Sequence, residues 1–481
     1  MISTLPMTAP RTAPQNPTTS PTPPELPGAS PAIDPYDPAV VRARVEAGRR
    51  AENTEDTLPP GIGGKPAPTY FRTYEQMKAA LYSLEQQYPN LVEIRDIGDS
   101  AEKIAGKADR DILAIVLTNK QVAGEKPSTM HVGGIHAREI ANPELLMKYA
   151  TDLLSGYGTD PRATMVLDSR ETVIVPILNP DGHAVVERGF AGEPGGDTMQ
   201  RKSTRGGDPR VGTDLNRNFD YHWGGPGASA SPTNETYRGP SAASEPETQA
   251  VQKYLAEHKT NFFMDWHSYS QLNLYPWGDT REHTKDDAGF SAMARKFTTY
   301  NGYSPIQSID LYPTTGTTDD FAYGRFGVPG MTVESGTSFL QSDKEFQKTL
   351  ELNLPVLDYV VRAADAPFQR VFGPDASKVV IDAAAHRVQA SVSDANNGGQ
   401  AISAAELVLD TKEVPGSGLA LQAADGRFDS KDEAVVGDIS SLPGIADAKT
   451  AAGTLAYIRG RDANGNWGPL TPQWLTAPAA R

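Results

Sequence analysis

The sequence predicts an α/β protein with a mixed, mainly parallel central sheet, helices on both sheet faces, and a small C-terminal β-sandwich. Two observations carry this. Between Tyr70 and Pro367, apolar runs of strand length alternate with segments of helical periodicity. Beyond Pro367 the helical pattern stops, and short alternating strands separated by turn dipeptides take over.

Residues 1–66 are rich in Pro, Thr, Ala and Ser and hold too little apolar surface to offset chain entropy. Most of this segment is expected to be disordered, with a short helix around Val40 to Ala51. Order begins near Tyr70. Thr73 and Gln76 have capping-box spacing ahead of Met77, Leu81 and Leu84, and Pro89 ends that helix. Strands follow at Ile112 to Leu117 and Thr129 to Ile135. Asn142 and Pro143 open a helix whose inner side carries Leu145, Leu146, Tyr149 and Leu153. Thr172 to Leu178 reads as a buried strand, ended by a turn at Asn179-Pro180-Asp181-Gly182. Ser244 and Glu247 again have capping-box spacing, before a helix through Leu255. Asn261 to Trp266 and Val328 to Glu334 complete the buried strands. The domain reading is therefore a disordered 1–66, an α/β unit at 67–366 and a β-sandwich at 367–481. In the last, Asp425-Gly426 and Asn464-Gly465 mark turns. Asp462, Asn464 and Asn466 have the look of calcium ligands, but Trp467 stands where an EF-hand loop needs Gly, so a hairpin turn is expected.

Composition excludes several functions. The net charge is −15 over 481 residues, which argues against nucleic acid as the partner. With no cysteine, disulfides, thiolate nucleophiles and thiolate metal ligands are ruled out, so any metal must be held by His, Asp or Glu. No apolar run approaches the ~18 residues of a membrane span, and no signal peptide is recognisable.

The chemistry-bearing residues sit at strand ends. His136 and Glu139, three apart after an apolar strand, can face one metal, and imidazole with carboxylate suits zinc. His267 lies at the end of another buried strand, where ligands collect in open α/β sheets. Asn216 and Arg217 place an amide beside a guanidinium, a pairing that grips carboxylates. Arg138 and Arg201 flank the same region. Glu334 ends an apolar strand as either a cap or a general base, and Tyr312 lies in a Thr- and Gly-rich loop. Taken singly, the histidines and arginines read better as buried polar groups or surface charges, and Tyr312 as an exposed loop residue.

Together they resemble the zinc carboxypeptidase family that includes the pancreatic carboxypeptidases A and B. The resemblance covers roughly residues 68–366. Its landmarks occur in order: HAREIANPELL, NPDG, RKSTR, GTDLNRNFDYHWG, YRGP with SEPET, HSYSQLNLYPWG, the Tyr312 loop with Asp319-Asp320, and TVESG. The resemblance implies the zinc carboxypeptidase fold and one Zn2+ per chain on His136, Glu139 and His267, with an open fourth position. It implies Glu334 as general base, Arg201 as oxyanion stabiliser, and Asn216 with Arg217 as the grip on the substrate's terminal carboxylate. Arg138 would guide the peptide, Tyr312 would close over the terminal residue, and Asp214 would orient a zinc histidine. Asp319 falls at the floor of the pocket for the departing side chain and implies a basic or mixed preference, with Gln307 and Thr314 adding polarity. The reading shifted by one position would make only Asp320 structural. The implied partners are peptide or protein C-termini, met by a monomer without nucleic acid or membrane span. The 1–66 segment is too short and Pro-rich for the folded propeptide of digestive members. The C-terminal region resembles Ig-like or fibronectin-like modules of secreted bacterial hydrolases, which implies an extracellular setting. Two other readings stay open at this point: a zinc amidase on cell-wall peptides or N-acyl amino acid deacylase, and a non-catalytic binding protein.

Overall fold

The computed structural model describes residues 67–205, 211–443 and 453–476. The expected disordered segment 1–66 and its short helix lie outside the described residues. The central sheet has eight strands: β1 (Val92–Asp99), β2 (Asp111–Leu117), β3 (Ser128–Val132), β4 (Glu171–Val175), β5 (Phe262–His267), β6 (Leu272–Tyr275), β7 (Ser304–Gln307) and β8 (Gly330–Glu334). Their order is β1-β2-β4-β3-β5-β8-β6-β7. The centre, β4-β3-β5-β8, is parallel, as is β6 with β7. The pairs β1–β2, β2–β4 and β8–β6 are antiparallel.

The sheet forms because its strands are apolar on both faces. Leu113, Ile115, Leu117, Phe262, Met264, Trp266, Met331 and Val333 enter one core, against helices Tyr74–Gln87, Ala141–Gly156, Asp287–Asn301 and Asp343–Arg362. The alternate residues Ile112, Ala114, Val116, Met130, Val132 and Phe263 enter the opposite core, against helices Pro246–Glu257 and Thr318–Phe326. Period-2 alternation between two covered faces explains why the sequence reads as continuous apolar runs.

Local signals fared differently. The box at Thr73 and Gln76 forms both of its hydrogen bonds. The Asn179-Pro180-Asp181-Gly182 segment is not a turn but a helix start. Asn179 caps the helix Pro180–Ala191 through its side chain, which accepts from the Gly182 N–H, and Pro180 takes the first helical position. The box at Ser244 and Glu247 does not form. The cap of helix Pro246–Glu257 is Glu245, with no side-chain bond. Instead the Ser244 hydroxyl donates to Glu245, and Glu247 accepts the Ala101 N–H at 2.8 Å. Both strands end short of expectation: β3 stops at Val132, where the chain turns at Gly133-Gly134, and β4 stops at Val175, just before Pro176.

The C-terminal strands are β9 (Asp375–Asp382), β10 (Arg387–Ser393), β11 (Ile402–Val408), β12 (Leu419–Ala423), β13 (Asp432–Asp438), β14 (Thr454–Asp462) and β15 (Thr471–Thr476). They run antiparallel in the order β15-β14-β11-β12-β13-β10-β9. β12 pairs with both β11 and β13, so the sheet folds at this strand and its two halves enclose Val388, Val392, Leu407, Leu421, Val435 and Ile458. The Asp462 segment is the expected turn: both of its carboxylate oxygens accept from Asn466. Phe368, Val371 and Phe372, just before β9, still pack on the first core. Residues of the sandwich and the α/β region join in a shared cluster of Met165, Val408, Leu455, Tyr457 and Leu470. Buried Lys296 reaches across to Asp375 and Asn397.

Glu247 is fully buried, and one of its carboxylate oxygens has no partner among the described residues. Burial pushes its pKa up to about 8. Because the folded value lies above the unfolded one, the folded state holds a proton that the unfolded chain has lost. This erodes stability as pH rises from the ordinary Glu range towards 8. Glu247→Gln is expected to raise the melting temperature by a few degrees at pH 8.5 and by less at pH 5. An equal shift at both pH values would refute the assignment.

Candidate active site

Two neighbouring strands supply the centre of the site. In the β5–β8 ladder Asp265 lies beside Thr332 and His267 beside Glu334. The period of two puts all four on the face opposite Trp266 and Val333. His267 is the last residue of β5 rather than the first beyond it. His136 arrives from β3. The turn that delivers it passes through Gly134 at φ 61°, where a Cβ would stand 3.1 Å from the Pro176 carbonyl oxygen. The Ala137 N–H then donates to the Arg201 carbonyl oxygen, which brings Arg201 beside His136.

His136, Glu139 and His267 are buried and converge. The two Nδ1 atoms lie 3.1 Å apart. Glu139 meets both: Oε1 is 2.7 Å from His136 Nδ1 and Oε2 is 3.1 Å from His267 Nδ1. The far nitrogens face carboxylates. His136 Nε2 is 3.2 Å from Asp214, and His267 Nε2 is 2.8 Å from Asp265. Those carboxylates draw the N–H protons to Nε2 and leave both Nδ1 lone pairs pointing at each other and at Glu139. Such a group repels itself unless positive charge lies within it. Burial opposes a charge on His267, yet Asp265 and Glu139 raise its pKa well above the ordinary value. Burial also opposes the Glu139 charge, and His136 and His267 hold that carboxyl well below the usual range. Two imidazole nitrogens and a carboxylate, with room for a fourth ligand, fit a catalytic zinc ion.

These residues open on a cavity of about 490 Å³ that Arg138, Arg201, Asn216, Arg217, Tyr312, Asp319 and Glu334 also line. The fold therefore brings these ten residues, all read from the sequence, to one place. Arg201 donates to Asp214 from Nη2 at 2.8 Å and Nε at 3.2 Å, and its Nη1 lies 3.2 Å from His136 Nδ1. Asp214 thus bridges a ligand histidine and a guanidinium. Buried Arg217 is held by two backbone carbonyls, Nε on Gly227 and Nη1 on Asn216, and among the described residues no carboxylate forms an ion pair with it. Asn216 accepts the Thr318 N–H, which leaves its NH2 3.2 Å from His267 Nε2. The Arg138 guanidinium lies 4.1 Å from the Phe339 ring centroid and 3.8 Å from Glu235. Glu334 is half-buried, and burial pushes its carboxyl up.

Also lining the cavity, Asp319 accepts the Thr332 hydroxyl at 3.2 Å. Asp320 instead accepts the Gly278 N–H. Asp319 is therefore the residue facing the cavity, and Asp320 holds the neighbouring chain in place. Burial raises both carboxyls, with Asp265 adding to the rise at Asp319 and Asp319 adding to that at Asp320. Gln307 does not line the cavity: its amide donates to the Thr280 and Glu282 carbonyls. Asp265 was not among the candidates read from the sequence. The available signal was its position two residues before His267, on the same strand face.

A sequence profile for the family described as zinc carboxypeptidase matches residues 77–355. Carboxypeptidase A2 of Rattus norvegicus is 32% identical over 262 residues, which cover 53% of this chain and 59% of that protein. Carboxypeptidase B of Bos taurus is 32% identical over 251 residues, 49% of this chain and 58% of its own. The chain thus spans less than two thirds of these mammalian relatives. A zinc carboxypeptidase of Saccharothrix mutabilis subsp. capreolus is 30% identical over 309 residues, 60% of this chain and 68% of its own. Among solved structures, thrombin activatable fibrinolysis inhibitor superposes with a TM-score of 0.55 at 26% identity, covering 68% of this chain and 81% of that one. With the profile matching more than half of the chain, and the His–Glu–His centre lying inside the matched stretch, this protein belongs to the zinc carboxypeptidase family.

Proposed function

We propose that this chain is a zinc-dependent carboxypeptidase that removes single residues from the C-termini of peptides, with a basic or mixed preference. The observation that carries the reading is one cavity in which a His–Glu–His centre faces both a strand-end carboxylate, Glu334, and a buried arginine, Arg217, that pairs with no carboxylate among the described residues. Zinc on His136, Glu139 and His267 would supply Lewis acidity, making a water more acidic and a carbonyl more electrophilic. Glu334 takes the proton of the attacking water and passes it to the leaving amide nitrogen. Arg201, held by Asp214, offers a fixed positive charge to the oxyanion. Asn216 and Arg217 hold the substrate's terminal carboxylate, Arg138 guides the chain that precedes it, and Tyr312 closes over the end.

The carboxylate grip accounts for exopeptidase selectivity. A peptide that continued past the residue to be released would leave Arg217 buried without an anion, at a cost of about 3–5 kcal/mol. Asp319 supports the basic preference. Among the described residues no cationic side chain pairs with it, so a substrate Lys or Arg would provide the missing charge. The relatives include both A and B types, and their names do not decide between the two. A monomer acting outside the cell belongs to the same reading. It is supported by the resemblance of the sandwich to modules of secreted hydrolases. No helix among the described residues is long and apolar enough to cross a membrane.

Four outcomes are expected. Purified protein binds one zinc per chain by elemental analysis, and His136→Ala or His267→Ala brings the content near zero. Zinc-loaded protein removes C-terminal Arg or Lys stepwise from matched peptides, read by mass spectrometry, and leaves an amidated control intact. Cleavage of the amidated control would move the amidase or deacylase reading to the front, and a preference for Phe would reject Asp319 as the pocket floor. Glu334→Gln is expected to lower kcat about 10²–10⁴-fold with zinc content unchanged. Arg217→Met is expected instead to weaken discrimination between the free and the amidated end.

A further inference from the structure

We propose that Asp265 is a positioning residue of the metal centre: it locks the His267 ring by its Nε2 and supplies the second buried negative charge that a divalent cation there requires. The inference rests on the zinc reading of His136, Glu139 and His267 and assigns a role to a residue outside that set. Asp265 is fully buried in β5, and its Oδ2 lies 2.8 Å from His267 Nε2. The period of two along the strand puts both side chains on one face, so no loop rearrangement separates them.

The charges distinguish Asp265 from Asp214, the carboxylate on the other histidine. Asp214 is matched by Arg201 at 2.8 Å. Asp265 has no Lys or Arg partner among the described residues, and its one ion-pair contact is His267. Its Oδ2 also accepts the Thr318 hydroxyl, while Oδ1 is buried without a hydrogen-bond partner. A divalent cation held by Glu139 and two neutral imidazoles keeps one unit of positive charge, and Asp265 matches it. The same hydrogen bond fixes the tautomer that presents the Nδ1 lone pair to the metal. Thr318 links this carboxylate onward. It begins the helix that carries Asp319, and its N–H donates to Asn216, so the metal histidine and the pocket floor share one anchor.

The test compares the wild type with Asp265→Asn and Asp265→Ala. Zinc affinity is read by competition with a chelator, and the melting temperature of the metal-free protein is measured alongside. Zinc affinity is expected to fall about 10–100-fold in the Ala variant. The Asn variant, which keeps an acceptor for Nε2–H but not the charge, should fall less. The metal-free melting temperature shows whether each variant keeps its fold, so that a loss of folding is not read as a loss of affinity. A residue with only a structural role would lower that temperature and leave zinc affinity alone. Wild-type affinity in both variants would overturn the inference. Should the Ala variant fail to fold, the Asn variant decides by the same measurement: weaker zinc binding supports the inference and parity overturns it. A wild type that takes up no zinc would overturn the metal-site reading as a whole, a result distinguishable from parity among the three proteins.

Discussion

Everything around the site answers to one electrostatic constraint: two imidazole lone pairs and a carboxylate are pressed together out of contact with water. The 3.1 Å separation of the two Nδ1 atoms, with Glu139 against both, is stable only with positive charge among them. The sheet sets this up. Because β3, β5 and β8 are parallel, their carboxyl ends open on the same side, and residues far apart in sequence meet there. The ladder then places His267 directly beside Glu334, an imidazole beside a carboxylate.

Beyond the three ligands the side chains form connected chains of contact rather than independent pairs. His136 leads through Asp214 to Arg201. His267 leads through Asp265 to Thr318, and Thr318 to Asn216. A third path runs from Glu139 to the Ser268 N–H, from Ser268 to Asn142, and from Asn142 to Ser335 beside Glu334. Groups joined this closely polarise and position one another, so their contributions do not add independently. Carboxylates face the far nitrogens of both histidines, while Asp319 and the guanidinium groups of Arg138, Arg201 and Arg217 line the same cavity.

The sandwich is packed on the α/β region rather than tethered to it. Met165 shares an apolar cluster with the sandwich strands, and the Trp474 indole donates to the Thr159 carbonyl. Lys296 is almost fully buried and satisfied by Asp375, Asn397 and the faces of Tyr300 and Tyr359. A buried ammonium with that many partners is hard to rehydrate singly, so separating the two regions would expose it together with the apolar cluster. Asp375, the first residue of β9, therefore ties the fold junction to the helix Asp287–Asn301.

Sequence alone determined what depends on local pattern and residue chemistry. Apolar runs of period two located the buried strands, Thr73 with Gln76 located a cap, and the ordered motifs singled out His136, Glu139, His267, Arg201, Arg217 and Glu334. Those signals are short-ranged: a strand must alternate, a cap must lie beside its helix, and a ligand must be of the right type. Tertiary structure decided the rest. Asn179 could have ended a strand or started a helix, and the chain that follows made it a cap. Ser244 and Glu247 had the spacing of a box, but Glu247 took the Ala101 N–H instead, a partner 146 residues away. Gln307 looked like a pocket residue until backbone carbonyls of a neighbouring loop claimed its amide. Asp265 read as one more residue of an apolar strand, since nothing local says that the β5 face towards the cavity is the one that meets a metal. Which polar group finds which partner across the fold is fixed by the sheet register and loop approach that sequence periodicity leaves undetermined.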